Sequence, residues 1–397
     1  ADHIGAYGHE LAKTPAIDAL AAEGYRFERA YSTVPLTTPA HASILSGLYP
    51  PRHGIRNNGD AILSEDIYTI AEHLSDAGYK TAAAVSAFVT TKVWNLDQGF
   101  DVYFDSVDSS EPGNRWGQER PADQVVDDLA GWIDNIEQGP FLAWAHFYDP
   151  HHPHVAPPGF ETGFESNYDA EIAFVDAQIS RLLKHAEATA GDAGLAIVVV
   201  ADHGEAFNGE HGEATHSLFL FDPTMRIPFI VRPPKPLAKP IVDKTNTVSL
   251  VDVVPTALAL LGTPPMNGID GVDVLKEGLR EPVYMESVTV AQRFGYHPEI
   301  AAAQGVFKLM DTPDTRLYNV TTDPTEQRNI KDTHPDTVTA LSTFSKGVWN
   351  SAITQSEGGM SPEVLAQLSM LGYVTTEFST VNTDSTIDAK NRVDTIQ

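Results

Sequence analysis

Leu195-Ala196-Ile197-Val198-Val199-Val200-Ala201-Asp202-His203-Gly204-Glu205 is the stretch that decides the fold. An unbroken apolar run with three consecutive valines suits a strand buried on both faces, as in a parallel sheet covered by helices. Phe141–Phe147 reads the same way and also gives way to polar residues, Tyr148-Asp149-Pro150-His151-His152-Pro153-His154. The two runs are expected in the middle of one sheet. In open sheets of this kind ligands gather beyond the carboxyl ends of the strands, so the residues following each run are where chemistry is to be sought.

Outward from these runs the pattern alternates. Residues 15–23 suit a short helix with Thr14 as cap, Pro15 in the first turn and Gly24 as stop, followed by a strand over 25–31. Helices are expected near 66–77, 121–137, 168–188 and 249–261, with strands near 80–86 and 227–231. Such alternation predicts an α/β fold with a mostly parallel central sheet between two helix layers. After residue 275 the strand-like pieces 283–286, 301–307 and 316–320, then a helix near 335–350, predict a small C-terminal α+β domain. The expected divisions are a catalytic domain over 1–275, the α+β domain over 276–350, and a helix with linker or tail over 351–397, aperiodic and rich in Ser, Thr and Asp from about 375.

The 397 residues hold 26 Lys+Arg against 54 Asp+Glu, a formal net charge of -28. That field repels nucleic acid and anionic membranes, so neither is an expected partner. An anionic substrate then needs a local positive centre, which a metal ion can supply. With no Cys, thiolate nucleophiles, disulfides and Cys zinc sites are excluded. No apolar run reaches membrane-spanning length, and no signal peptide is seen. Nothing in the sequence sets an oligomeric state.

Four segments carry candidate chemistry. In Leu36-Thr37-Thr38-Pro39-Ala40-His41-Ala42-Ser43-Ile44-Leu45-Ser46-Gly47, Thr38 is the expected cap, Pro39 lies in the first turn and Gly47 is the stop. Thr37 then sits at the helix mouth, where free N–H groups and the dipole favour a tetrahedral anion; it is either a second capping hydroxyl or a nucleophile activated by a metal. Asp202 and His203 offer a carboxylate and an imidazole suited to a divalent ion, and Gly204 permits a tight turn around it. In Asp149–His154, His151 is the preferred candidate for protonating a leaving oxygen, with metal ligation or a surface role open for His152 and His154. In Gly209–His216, either His211 or His216 can approach the same centre.

These segments occur in the order and spacing of the sulfatase branch of the alkaline phosphatase superfamily, and the sequence resembles that branch from about Asp2 to Tyr373. The anchors are AYGHELAKTPAIDALAAEGYRFERAYS, HASILSGLYPPRHG, GYKTAAAVSAF, NLDQGFDVYFD, FYDPHHPH, VVVADHGE, MRIPFIVRPP, VSLVDVVPTALALLG and LYNVTTDPTEQRNI. The resemblance implies a large α/β/α sandwich with a smaller C-terminal domain, an ester substrate (a small molecule, a glycan or a lipid) and a covalent enzyme ester that water clears. It puts Thr37 in the nucleophile place, with Asp202, His203 and Thr37 itself on one divalent ion, zinc, manganese or calcium. His151 takes the leaving-group place, His41 the place of an active-site Arg, and His216 a place often held by Lys.

The departures are specific. Sulfatases usually carry Cys or Ser, matured to formylglycine, in a C/S-x-P-x-R motif; here Thr37, Pro39 and His41 stand there, and Thr cannot become formylglycine. The Gly-Lys-Trp-His-Leu-Gly sulfate-binding segment is not recognisable around Ser86–Leu96, where Lys92 is the partial substitute. A Thr beside an Asp-His pair is similar instead to phosphodiesterases and phosphoethanolamine transferases of the superfamily. Their second Asp-x-x-x-His pair is missing, because Pro153 follows Asp149 at that spacing, so one metal is expected. Phosphodiester or phosphonate hydrolysis, phosphoryl transfer, and an inactive anion-binding module are the rival readings. The resemblance also implies a strand bearing a ligand Asp ahead of Ala1, hence a poorly active piece of a longer chain. Ala389-Lys390-Asn391 resembles a run leading into helical repeats, and the family's habits imply a periplasmic or extracellular location.

Overall fold

A computed structural model describes residues 1–107, 119–207, 209–276, 281–353 and 385–393. In chain order its main elements begin with α1 (Pro15–Ala22), β1 (Tyr25–Tyr31), α2 (Thr37–Ser46), α3 (Pro50–His53), α4 (Ile70–Asp76), β2 (Lys80–Ala84), β3 (Val102–Phe104) and α5 (Ala122–Asp134). There follow β4 (Phe141–Ala145), α6 (Asn167–Ala190), β5 (Ile197–Val200), α7 (Asp222–Met225), β6 (Arg226–Ile227), β7 (Phe229–Arg232), β8 (Ile241–Ser249) and α8 (Val253–Leu261). The last are β9 (Val283–Ser287), α9 (Thr289–Phe294), β10 (Glu299–Gln304), β11 (Phe307–Met310), β12 (Arg316–Asn319) and α10 (Pro335–Trp349).

Alternation along the strands sets the layers. On β4, Leu142 and Trp144 pack toward α2, α4 and α8, whereas Ala143 and Ala145 pack toward α5 and α6. On β5, Val198 and Val200 meet α2 and α8, whereas Ile197 and Val199 meet α1 and α6. Both strands are therefore apolar at every position because helices cover both faces, which is the α/β/α arrangement expected.

Pairing differs from a single, mostly parallel sheet. One sheet, ordered β3-β2-β4, is parallel; the other, ordered β5-β7-β1-β6 with β8 beside β1, mixes antiparallel pairs with the parallel β1–β8 pair. Among the described residues no helix long enough to make a parallel crossover lies between β5 and β7, so β7 returns antiparallel to β5. Nor do the two apolar strands pair with each other at the centre. Among the described residues β4 pairs with β2 alone and β5 with β7 alone. Between them runs a cavity of about 1150 Å³, lined from Gly139 and Gly194 at one end to His146, His151, Asp202 and His203 at the other. The two strands thus run in the same direction along its sides, with their carboxyl ends together.

Local interactions explain where the ends fall. The first-turn N–H groups of α1, at Ala16 and Ile17, donate to Asp176 of α6 at 3.0 and 2.8 Å, and Thr14 makes no side-chain cap. β12-β11-β10-β9 form an antiparallel sheet with α10 against it. The expected single strand 301–307 is two, joined at Gly305-Val306, where Gly305 at φ 59° supplies the turn that a tight hairpin needs. Of the tail, residues 354–384 and 394–397 lie outside the described residues. Residues 385–393 are packed: Asp388 is buried and binds Thr312 at 2.7 Å and Arg316 at 3.0 Å, so the run around Ala389 is a docked element and not part of a loose tail.

Beneath this docked element lies Glu299, 1% exposed, with both carboxyl oxygens unpartnered. Burial, aided by Asp388 and opposed by Arg316, raises its pKa to about 8. The folded state therefore holds a proton that the unfolded state releases near its ordinary value, and stability is lost as pH rises from about 4.5 through 8. Glu299→Gln is expected to raise Tm by roughly 2–4 °C at pH 9 and to leave it unchanged at pH 4. An equal shift at both pH values would contradict the assignment.

Candidate active site

α2 begins at Thr37, two residues earlier than expected. Leu36 is its extended N-cap residue, and Thr38 does not cap because its hydroxyl donates to Val89 O at 2.8 Å. The Thr38 N–H is taken instead by Asn58 Oδ1 at 2.9 Å. Thr37, 1% exposed, thus occupies the first position of a helix whose dipole is positive at that end.

At the end of β5 the chain turns sharply. Gly204 N donates to Thr224 O at 2.7 Å, and a Cβ on Gly204 would lie 2.2 Å from Pro223 O, so only glycine fits. The turn aims His203 at Thr37: Nε2 lies 3.4 Å from the Thr37 hydroxyl, while Nδ1 is 3.0 Å from Gly204 O. With the proton on Nδ1 facing that carbonyl, Nε2 keeps its lone pair for the hydroxyl or an ion. Asp202 is steadied by Ser32, which donates to its backbone carbonyl, and by the His203 N–H, which donates to Oδ1 at 2.9 Å. Burial alone would raise the Asp202 pKa, but His203, His41 and His146 outweigh it and hold the carboxyl well below the usual range.

His41, one turn along α2, has Nδ1 2.8 Å from Thr37 O and 3.8 Å from Asp202 Oδ2. The ring of His216 sits 4.2 Å from that of His203, and His151, stacked on Tyr148 at 4.1 Å, lies 5.2 Å from His216. Burial lowers the pKa of His41, His151 and His216. The structure therefore brings all six candidate residues, Thr37, His41, His151, Asp202, His203 and His216, to one end of the cavity.

Other candidates lie elsewhere. His211 stacks on Phe221 with centroids 3.4 Å apart, and its Nε2 is 2.9 Å from Thr325 O. His154 pairs with Glu171 at 2.8 Å. Lys92 is largely exposed and 3.6 Å from Asp105. Asp149 accepts from Ala122 N at 3.1 Å, serving the start of α5.

Two participants were missed. His146 stands edge-on to His41 at 4.6 Å, with Nδ1 facing Ser86 N and Thr90 Oγ1; burial, with His41 adding, lowers its pKa to about 3. An imidazole inside the otherwise apolar run 141–147 was the signal. Glu205 lies 3.4 Å from His216 Nδ1 and keeps one oxygen buried and unpartnered.

Comparison with known proteins identifies the fold and the family. A family model described as Sulfatase matches residues 1–263. The Ulvan-active sulfatase of Formosa agariphila is 25% identical over 387 residues, covering 82% of this chain and 74% of that protein. The structure of Ps i-CgsB in complex with k-i-k-neocarrahexaose matches with a TM-score of 0.71 at 19% identity, over 95% of this chain and 96% of that one. The phosphonate monoester hydrolase of Agrobacterium radiobacter matches with a TM-score of 0.68 at 17% identity, over 91% and 96%. At such identities the structures show a shared fold, while the family match spans well over half of the sequence. The chain belongs to the sulfatase family of the alkaline phosphatase-like superfamily and is an ester hydrolase of that family.

Proposed function

We propose that the chain hydrolyses a sulfate or phosphate ester of a small molecule or glycan through a covalent ester on Thr37. The observation that carries this is the Thr37 hydroxyl at the start of α2, 3.4 Å from His203 Nε2, beside the carboxylate of Asp202. One carboxylate, one imidazole and one hydroxyl are a donor set that suits a divalent ion, zinc, manganese or calcium. Such an ion, held by Asp202, His203 and Thr37, would supply Lewis acidity and lower the hydroxyl pKa.

The protein's own residues account for the remaining steps. As Oγ1 attacks sulfur or phosphorus its proton passes to the neighbouring imidazoles of His216 and His151, and His151 returns one to the departing alcohol oxygen as the ester bond breaks. Water then attacks the Thr37 ester, releasing sulfate or phosphate and the free hydroxyl. The α2 N-terminus stabilises the anion throughout.

Thr37 cannot mature to formylglycine, and a phosphonate monoester hydrolase shares the fold, so phosphodiester or phosphonate hydrolysis is the second reading. A parallel assay of aryl sulfate, phosphate monoester, diester and phosphonate with added zinc, manganese or calcium separates them. Turnover of at least one class, with a sulfated or phosphorylated Thr37 peptide after rapid quenching, is the expected result. No turnover with any ion, alongside retained sulfate or phosphate binding, would replace hydrolysis by an anion-binding role.

A further inference from the structure

The N-terminal segment carries a second constellation, built on none of the residues above. His3, His9 and Asp169 each offer one donor atom, and the three atoms lie within 4.8 Å of one another. His3 Nδ1 is 2.6 Å from Asp169 Oδ1, and the His9 ring stacks on that of His3 with centroids 5.2 Å apart. Nε2 of His9 faces Glu165 at 3.3 Å, while Nδ1 of His9 is buried with no hydrogen-bond partner. A buried nitrogen lone pair without a donor is costly, and a cation would satisfy it.

The carboxylate is already oriented. Ser166, the N-cap of α6, donates to Asp169 Oδ2 at 2.6 Å and accepts from Asp169 N at 3.1 Å. Tyr168, edge-on at 5.0 Å, and Phe207, at 6.2 Å, wall the His3 ring on its apolar side. A fixed carboxylate supported from behind and two imidazoles are what a zinc-class ion takes as ligands, and Glu165 steadies the His9 ring from its other nitrogen. The helix N-terminus disfavours a cation, but Asp169, Glu165 and the overall charge of -28 act against it.

We infer that His3, His9 and Asp169 form a structural binding site for a zinc-class divalent cation, with Glu165 fixing the His9 ring through its Nε2. Its role is to clip residues 1–9 to the start of α6. The site does not rest on the Thr37 reading, because it would bind an ion whether or not the chain turns over an ester.

The test uses the full chain, free of any affinity tag and stripped with chelator, titrated with zinc chloride and followed by calorimetry and thermal melting. Wild type, His9→Ala, Asp202→Asn and the double variant are compared. In Asp202→Asn a zinc ion should still bind and raise Tm. In the double variant that ion should bind about 10- to 100-fold more weakly and the rise in Tm should disappear. Zinc binding that is unaffected by His9→Ala, or abolished by Asp202→Asn alone, or absent from wild type, would each overturn the assignment. His9 is partly exposed and unstacks from one ring only, and circular dichroism of the metal-free variants checks that each is folded.

Discussion

Thr37→Ala should lower kcat/KM by at least about three orders of magnitude on whichever ester the chain hydrolyses, and Thr37→Ser should keep most of it. The reason is positional. The hydroxyl stands at the first turn of α2, its one side-chain partner among the described residues being His203 at 3.4 Å, so under the proposed mechanism its removal leaves no nucleophile and no covalent ester. Folding should barely notice: no strong hydrogen bond is lost, and the stability change should stay within about 1 kcal/mol. Steady-state kinetics with urea denaturation of the same samples separates the two effects. Equal turnover by Thr37→Ala would remove Thr37 from the chemistry.

The largest effect on stability is expected from Lys308→Met. Lys308 is fully buried, with Nζ 2.8 Å from Asp222 Oδ1 and 2.9 Å from Glu326 Oε1. Burial alone would lower its pKa, but the two carboxylates outweigh it, so the ammonium stays charged. Glu326 also accepts from Asp222 N at 2.6 Å and is itself pushed up to about 7 by burial, with Lys308 opposing. Methionine fills the space yet leaves two buried carboxyls facing each other without a cation. Breaking a buried pair in this way costs about 3–5 kcal/mol. Glu326 fixes the sign with pH: without Lys308 its folded pKa rises further above about 7, so the deficit of the variant should grow as pH rises above about 7, where wild-type Glu326 ionises beside its cation. Urea midpoints at pH 5 and 8 measure it; a loss under about 1 kcal/mol at pH 8 would show that the ion cluster is not what holds β11 to α7.

Burial explains which parts of the structure were legible in the sequence. The helix layers and the apolar strands could be read because covered faces impose periodicity on side chains. β8 could not, since IVDKTNTVS is exposed over much of its first half and shows no apolar period. β3 has only three residues, too few for any period. The edge positions of β4 and β5 were illegible for a different reason. Apolar side chains report what lies above and below a strand, whereas the neighbour beside it is recognised by backbone groups that every sequence shares.

The site was legible to a similar degree. Asp202, His203 and His151 follow apolar runs, and Thr37 opens a helix, so position in the chain marked them. His41 needed the family resemblance, which also separated His216 from His211, and His146 was hidden inside a run read as strand. The capping of α1 by Asp176 and of α2 by Asn58 was also out of reach, because those partners lie 160 and 20 residues away in sequence.

The slot between β4 and β5 bears on how these molecules meet one another. Among the described residues neither strand has a strand partner on that side, and neither FLAWA nor IVVV contains the charge or proline that commonly guards an open edge, so the slot suits one more extended segment. Any extended apolar segment, including one from a second molecule, meets two adhesive rails at once. Opposing this is the mutual repulsion of chains carrying a charge of -28, whose reach shrinks to about 8 Å at physiological salt. At any open strand edge the pairing attraction is short-ranged and charge repulsion long-ranged, so added salt favours association.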